Sequence, residues 1–117
     1  MGKARKFVCL QINKHLYQLT GADLFINLAT FLRENLRLTA AKIACEEGDC
    51  GACSVLLGIP YMTPKGQDMQ YQVVNSCITP VFSLDSMHII TLEGLNKENL
   101  SIIQKAMVAK GGAQCGF

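Results

Sequence analysis

The sequence predicts an α+β fold in which one helix packs across a mixed β-sheet and a short helix follows near the C-terminus. Three observations support this class. The chain opens with two short segments of loosely alternating apolar residues, continues with one amphipathic helical pattern, and then carries several short β-type segments. A repeated βαβ architecture does not fit, because the second half lacks the helices that its crossovers require.

The first two strands are predicted to pair as a β-hairpin. Residues 7–12 and 15–19 alternate between apolar and polar side chains, and Asn13-Lys14 lies between them as a two-residue turn. Such a hairpin can place one face on a hydrophobic core, which a packed helix would complete.

That helix is predicted over residues 23–35. Thr20 and Asp23 have the spacing of a capping box, with aspartate in place of the usual glutamate. The apolar residues recur at helical intervals and define the buried face: Leu24, Leu28, Phe31, Leu32 and Leu36.

The second half is predicted to supply the remaining strands. Residues 54–57 and 71–74 are predicted to pair, and residues 87–91 form a further strand. Between the first two, residues 58–68 contain two prolines and two glycines, which predicts a surface excursion.

A short helix is predicted close to the C-terminus. Asn99 or Ser101 is the candidate cap, and Gly111-Gly112 is the predicted end. The apolar residues that share one face of this helix are Ile102, Ile103, Ala106 and Met107.

Length and composition exclude several classes of protein. The 117 residues suit about one domain, and 50% hydrophobic with 17% charged residues excludes intrinsic disorder. The net charge of +2 is too small for a nucleic-acid surface, and no apolar run is long enough to span a membrane. The run Phe7–Leu10 is shorter than a signal-peptide core, so a cytoplasmic protein is expected.

Six cysteines in a cytoplasmic chain are not expected to form disulfides, so they need a different role. Cys45, Cys50 and Cys53 form a C-x4-C-x2-C pattern, and Cys77 follows at a distance, which is the ligand order of a plant-type 2Fe–2S cluster. Two irons share two sulfides, so each iron needs two thiolates. A glycine-bearing loop can supply three of them while a separate element supplies the fourth.

The residues between these cysteines suit the same chemistry. Gly48 and Gly51 allow positive φ or close approach to a cluster. The acidic residues Glu46, Glu47 and Asp49 either disfavour uptake of an electron or are simply solvated. No general base, nucleophile or phosphate loop stands out, so the chain alone is not expected to catalyse a reaction.

Zinc binding and thiol–disulfide exchange suit the cysteines less well. Structural zinc sites usually pair two C-x2-C knuckles, and this chain has one. A thioredoxin-like pair needs a helix after its C-x2-C, whereas a strand is predicted after Cys53. Cys9 is expected to be a small core residue, and His15 and His88 are expected to have no functional role.

Four segments resemble, in order, the N-terminal 2Fe–2S domain of the xanthine dehydrogenase and aldehyde oxidase family of molybdenum hydroxylases. They are residues 42–55, 74–80, 91–95 and 112–117, and the resemblance runs from about residue 5 to the end. It implies a β-grasp, ferredoxin-like fold and electron transfer from a molybdenum cofactor toward FAD, both held by other domains or subunits. It also implies that the four cluster ligands are Cys45, Cys50, Cys53 and Cys77.

The resemblance implies a division of the chain as well. Residues 1–96 correspond to the cluster domain, and residues 97–117 to the first helix and loop of a second, helical 2Fe–2S domain that is truncated here. In the family Gln114 would contact the pterin of the molybdenum cofactor, and Cys115 would bind the second cluster. The remaining three cysteines of that motif are absent, so this second cluster is not expected to form.

Two further functions are compatible with the sequence. A free-standing ferredoxin-like carrier would shuttle between separate proteins, although the apolar face of the C-terminal helix argues against independence. A non-functional remnant is suggested by Ala44 and Ala40-Ala41, where the family has glycine and glycine-threonine. The long interval between Cys53 and Cys77 resembles the xanthine dehydrogenase and aldehyde oxidase branch of the family.

Overall fold

The computed structural model describes residues 6–96 and 100–112, and its five strands form one mixed sheet. The order across the sheet is β2-β1-β5-β3-β4. The bounds of the strands are β1 Val8–Ile12, β2 His15–Leu19, β3 Ser54–Thr63, β4 Gly66–Asn75 and β5 His88–Ile90. The predicted α+β class is confirmed, and so is the opening hairpin with its turn at Asn13-Lys14.

The shortest strand lies at the centre of the sheet. β5 runs parallel to β1, with Gln11 opposite His88, and antiparallel to β3, with Leu57 opposite Ile89. The β1–β2 hairpin therefore lies on one side of β5, and the β3–β4 hairpin lies on the other.

The helix that packs on the sheet begins later than predicted. A 3₁₀ turn spans Gly21–Leu24, and the helix, α1, starts with Leu28–Thr30 and continues as a π-helical stretch, Phe31–Asn35. The predicted start at residue 23 is wrong because Asn27 is extended and bridges to Pro80, which keeps the chain out of helical geometry until residue 28.

The predicted capping residue is wrong for the same reason. The Thr20 side chain makes no cap hydrogen bond, whereas Asn27 Oδ1 accepts one from the Thr30 N–H at 2.8 Å. Asn27 is therefore the N-cap of α1, and its side chain satisfies a helix N–H that would otherwise lack a partner.

Replacing Asn27 with alanine should destabilise the protein by about 1 kcal/mol, because the Thr30 N–H loses its acceptor. We expect the midpoint of thermal unfolding to fall by about 4 °C or more for a chain of this size. Asn27→Asp should have an unfolding midpoint near that of the wild type, and Thr20→Ala should change the midpoint little. A larger fall for Thr20→Ala than for Asn27→Ala would contradict the assignment.

The hydrophobic core lies between α1 and one face of the sheet. Leu28 and Leu32 of α1 are fully buried, and the sheet contributes Leu10, Ile12 and Ile89. Burial alternates along β1, so Cys9 faces away from this core and is half-buried. The expectation that Cys9 is a core residue is wrong, because it falls on the opposite face of its strand.

The second hairpin is longer than predicted. The predicted pairing of residues 54–57 with 71–74 is confirmed, but the strands continue to Thr63 and back from Gly66. Residues 58–68 lie largely at the surface, as predicted, but they are paired strands around a short turn. Gly58 is required for packing, since a Cβ there would lie 2.6 Å from Tyr71 Cε1. Pro60 lies beyond the pairing with β5, where β3 has a neighbour on one side and proline is tolerated.

Two short helices follow the sheet. α2 spans Leu92–Leu95, directly after β5, and α3 spans Ile102–Ala109. Ser101 caps α3 and forms a capping box with Gln104, so Ser101 is the cap of the two candidates. In the part of the chain that the structure describes, no helix has the length and apolar character needed to cross a membrane. The division of the chain at residues 96 and 97 stays a prediction.

Candidate metal centre

Three of the four cysteines predicted as ligands lie on the loop between α1 and β3. The backbone of this loop has positive φ at Glu46 (57°), Gly48 (79°) and Gly51 (74°). Residues in the left-handed conformation turn successive N–H groups toward one side of a loop, and glycine adopts this conformation at little cost. Gly48 and Gly51 therefore have the positive φ that their places in the cysteine loop predicted.

Backbone N–H groups surround the first cysteine. Cys45 Sγ accepts hydrogen bonds from the N–H groups of Cys50 (3.3 Å), Asp49 (3.3 Å) and Glu47 (3.5 Å). These donors, that of Cys50 most strongly, lower the pKa of the Cys45 thiol to about 7. The loop thus stabilises negative charge on this sulfur, which is the form that binds metal. The N–H of Ala52 makes a similar contact to Cys50 Sγ at 3.4 Å.

The β3–β4 hairpin brings the third and fourth cysteines together. Cys53 directly precedes β3, Cys77 closely follows β4, and Ser54 pairs with Asn75 at the base of the hairpin. Both thiols are buried and pack with Ala29 of α1. Burial raises the pKa of Cys77 most, and the adjacent Cys53 side chain raises it further.

Ser76 fixes the position of these two cysteines. It is fully buried, its hydroxyl donates to the Cys53 carbonyl at 2.6 Å, and its N–H donates to the same oxygen at 3.3 Å. The backbone of the Cys53 segment and that of the Cys77 segment are therefore tied directly to each other.

The cysteine loop closes against the turn that carries Cys77. Asn75 Nδ2 donates to the Gly48 carbonyl at 3.1 Å. A hydrogen bond from the Gly48 N–H also lowers the pKa of the Cys77 thiol, which offsets part of the rise that burial causes. A Cβ at Gly48 would lie 2.8 Å from Ile78 Cδ1. Ile78 Cδ1 is the end of an exposed side chain that can move aside, so the strain from a side chain at Gly48 would come mainly from its φ of 79°.

Accessibility differs across the four thiols. Cys53 and Cys77 are 2% and 7% exposed, Cys45 is half-buried, and Cys50 is exposed. One side of the site is thus covered by the protein and the Cys50 side faces outward. The acidic residues of the loop are exposed, namely Glu46, Glu47 and Asp49.

The donor set fits a 2Fe–2S cluster. Four thiols come from two segments that hydrogen bonds hold together, and amide N–H groups point at the sulfur of Cys45. Within residues 6–96 and 100–112, no group of three or more His, Cys, Asp or Glu is placed to hold a single metal ion. A 2Fe–2S cluster has a different requirement, since it takes two thiolates on each of two irons.

Two more of the predicted site residues, Gln114 and Cys115, lie outside the described residues. Asn75 and Ser76 shape the site through their hydrogen bonds, and no role was predicted for them from the sequence. Both lie in segment 74–80, which carries the family resemblance, and this was the sequence signal that could have identified them.

Comparison with known proteins agrees with the fold and with a 2Fe–2S cluster as the cofactor. The sequence-family model for the 2Fe–2S iron–sulfur cluster binding domain matches residues 27–82. Xanthine dehydrogenase from Emericella nidulans is 37% identical over 100 residues, which cover 85% of this chain and 7% of that protein. A probable xanthine dehydrogenase subunit from Bacillus subtilis is 36% identical over 91 residues, which cover 78% of this chain and 46% of that protein.

A solved structure shows the same arrangement of the backbone. The aldehyde oxidoreductase from Desulfovibrio gigas superposes with a TM-score of 0.71 at 38% identity, covering 94% of this chain and 11% of that one. This chain thus spans less than half the length of each of these relatives. It belongs to the 2Fe–2S iron–sulfur cluster binding domains of the xanthine dehydrogenase and aldehyde oxidoreductase family.

Proposed function

We propose that Cys45, Cys50, Cys53 and Cys77 hold one 2Fe–2S cluster, and that the chain relays electrons from a molybdenum cofactor toward FAD in a larger hydroxylase. The observation that carries this proposal is the closure of the Cys45 loop, with its inward N–H groups, over the turn that carries Cys77. When bound, the cluster supplies a centre that takes up and releases one electron at a time.

The protein's own contribution is to hold the thiolates and to balance their charge. The N–H groups of Glu47, Asp49 and Cys50 are already directed at Cys45 Sγ, so little backbone reorganisation is needed when negative charge builds up there. Burial of Cys53 and Cys77 limits the access of water to one side of the site. The exposed Cys50 side is where an electron would enter or leave over the shortest distance.

The relatives favour a domain of an assembly over a free-standing carrier. The chain corresponds to a small part of a xanthine dehydrogenase and to about half of a probable subunit of another. Domains or subunits that carry the molybdenum cofactor and FAD are therefore the proposed partners. The cytoplasmic location belongs to the same proposal, because a reducing compartment keeps four thiols available for iron.

The decisive experiment is metal analysis of anaerobically purified protein with an EPR spectrum after dithionite reduction. We expect about two irons and two acid-labile sulfides per chain, little zinc, and a rhombic spin-half signal from the reduced cluster. Zinc without sulfide, or no metal at all, would overturn the proposal.

A pull-down from the native host separates the two functions. We expect a partner that contains molybdenum or flavin, identified by metal and cofactor analysis of the captured complex. Recovery of the iron–sulfur protein free of any such partner would favour the free-standing carrier.

A further inference from the structure

The segment that leads into the cysteine loop is held by two side chains from different elements, α1 and α2. Arg33 of α1 donates through Nη1 to the carbonyl of Thr39 at 2.8 Å and to that of Ala41 at 3.0 Å. Glu93 of α2 contacts the same segment, and its Oε2 accepts from the Ala40 N–H at 3.0 Å. The backbone of residues 39–41 is therefore held by hydrogen bonds to the Arg33 guanidinium and the Glu93 carboxylate.

Glu93 is itself placed by a tight junction between α2 and the β1–β2 turn. Asn13 Oδ1 accepts from the Thr91 N–H and Asn13 Nδ2 donates to Thr91 Oγ1, both at 3.0 Å. Gly94 approaches so closely that a Cβ there would overlap the Asn13 side chain. Thr91 is buried, so this junction leaves α2 little freedom to move.

The held segment leads directly to the proposed ligands. Ala41 is buried in the core, and the Lys42 N–H donates to the carbonyl of Ala52 at 3.0 Å, next to Cys53. A shift of residues 39–41 would therefore be transmitted both to Cys45 and to the far end of the loop.

We propose that Glu93 and Arg33 are positioning residues for the cluster, acting through the backbone at residues 39–41. This inference rests on the proposed function. The carboxylate of Glu93 acts by hydrogen bonding at Ala40, and the position of its acceptor oxygen matters more than its charge. Groups hydrogen-bonded directly to metal ligands typically change metal affinity by about 10- to 100-fold, and Glu93 and Arg33 act one step further out, so we expect the lower end of that range.

A pair of conservative variants separates position from charge. Glu93→Asp keeps the charge but withdraws the oxygen from Ala40 by one methylene, whereas Glu93→Gln loses the charge and keeps an acceptor of the same length. The readouts are the rate of iron release to a chelator, the g-values of the reduced cluster and its midpoint potential. Glu34 is exposed on the same helix as Arg33, so Glu34→Gln is the control for loss of a nearby charge.

We expect Glu93→Asp and Arg33→Ala to release iron about 10-fold faster than the wild type, with shifted g-values. Glu93→Gln should lie close to the wild type in its iron-release rate and its g-values, and Glu34→Gln should equal the wild type in both quantities. Equal behaviour of the Asp and Gln variants, or a wild-type release rate in Glu93→Asp, would overturn the inference. A wild-type protein without iron and sulfide would instead overturn the proposed function.

Discussion

Replacing Cys77 with serine is expected to remove the 2Fe–2S cluster almost completely. Cys77 is buried beside Cys53 and is the sole cysteine of the proposed set that comes from outside the loop. A serine hydroxyl is a harder, less acidic ligand than a thiol, and the loop cannot supply a fourth sulfur. The loss should exceed the roughly 10- to 100-fold cost of removing an outer partner of a metal site.

Iron and sulfide per chain and the EPR signal of the reduced protein measure this effect. Cys9→Ser is the matched control, because it makes the same chemical change at a half-buried cysteine of β1. We expect the control to retain full iron and the wild-type spectrum. A full cluster with the wild-type EPR spectrum in Cys77→Ser would show that a different residue is the fourth ligand, because ligation by the serine oxygen would change the spectrum.

Replacing Gly94 with alanine is expected to destabilise the whole domain by about 3 kcal/mol. The new methyl group would overlap the Asn13 side chain, which makes two hydrogen bonds to Thr91. Either Asn13 moves and leaves buried Thr91 groups without partners, or α2 moves away from the sheet. The fall in the thermal unfolding midpoint measures the effect, and it should exceed that of Asn27→Ala.

Asn13→Gly provides the control for this collision. Asn13 has a φ of 55°, which glycine adopts without strain, and the change removes the atoms that the alanine methyl would meet. In the Asn13→Gly background, Gly94→Ala should therefore lower the free energy of unfolding only slightly further, so the effects of the two changes should be far from additive. Additive effects would place the strain elsewhere than between Asn13 and Gly94.

The local patterns predicted the hairpin and the cysteine loop well. Alternation over residues 7–12 and 15–19 requires one buried face and a short turn, and β1 and β2 match it within a residue. The spacing of Cys45, Cys50 and Cys53 with two glycines predicted a tight loop, and positive φ at Gly48 and Gly51 agrees with it. Both features depend on neighbours in sequence.

The errors occur where distant residues override a local signal. The helix begins at Leu28 instead of residue 23 because Asn27 bridges to Pro80, a contact that no window around the helix contains. Gly58 suggested a turn, yet it serves the packing of Tyr71 inside a strand. The bond from Ala40 to Glu93 spans 53 positions, so the role of Glu93 could not follow from spacing alone.

The central position of β5 has a consequence for the order of assembly. This three-residue strand is the element through which both hairpins join the same sheet, and its partner β1 comes from the opposite end of the domain's sequence. During synthesis the four proposed ligands leave the ribosome before β5 does. Because pairing of distant segments carries a loop-closure cost, the two hairpins are expected to remain separate until residues 88–90 emerge. Completion of the sheet is then a late, cooperative event rather than growth from one end.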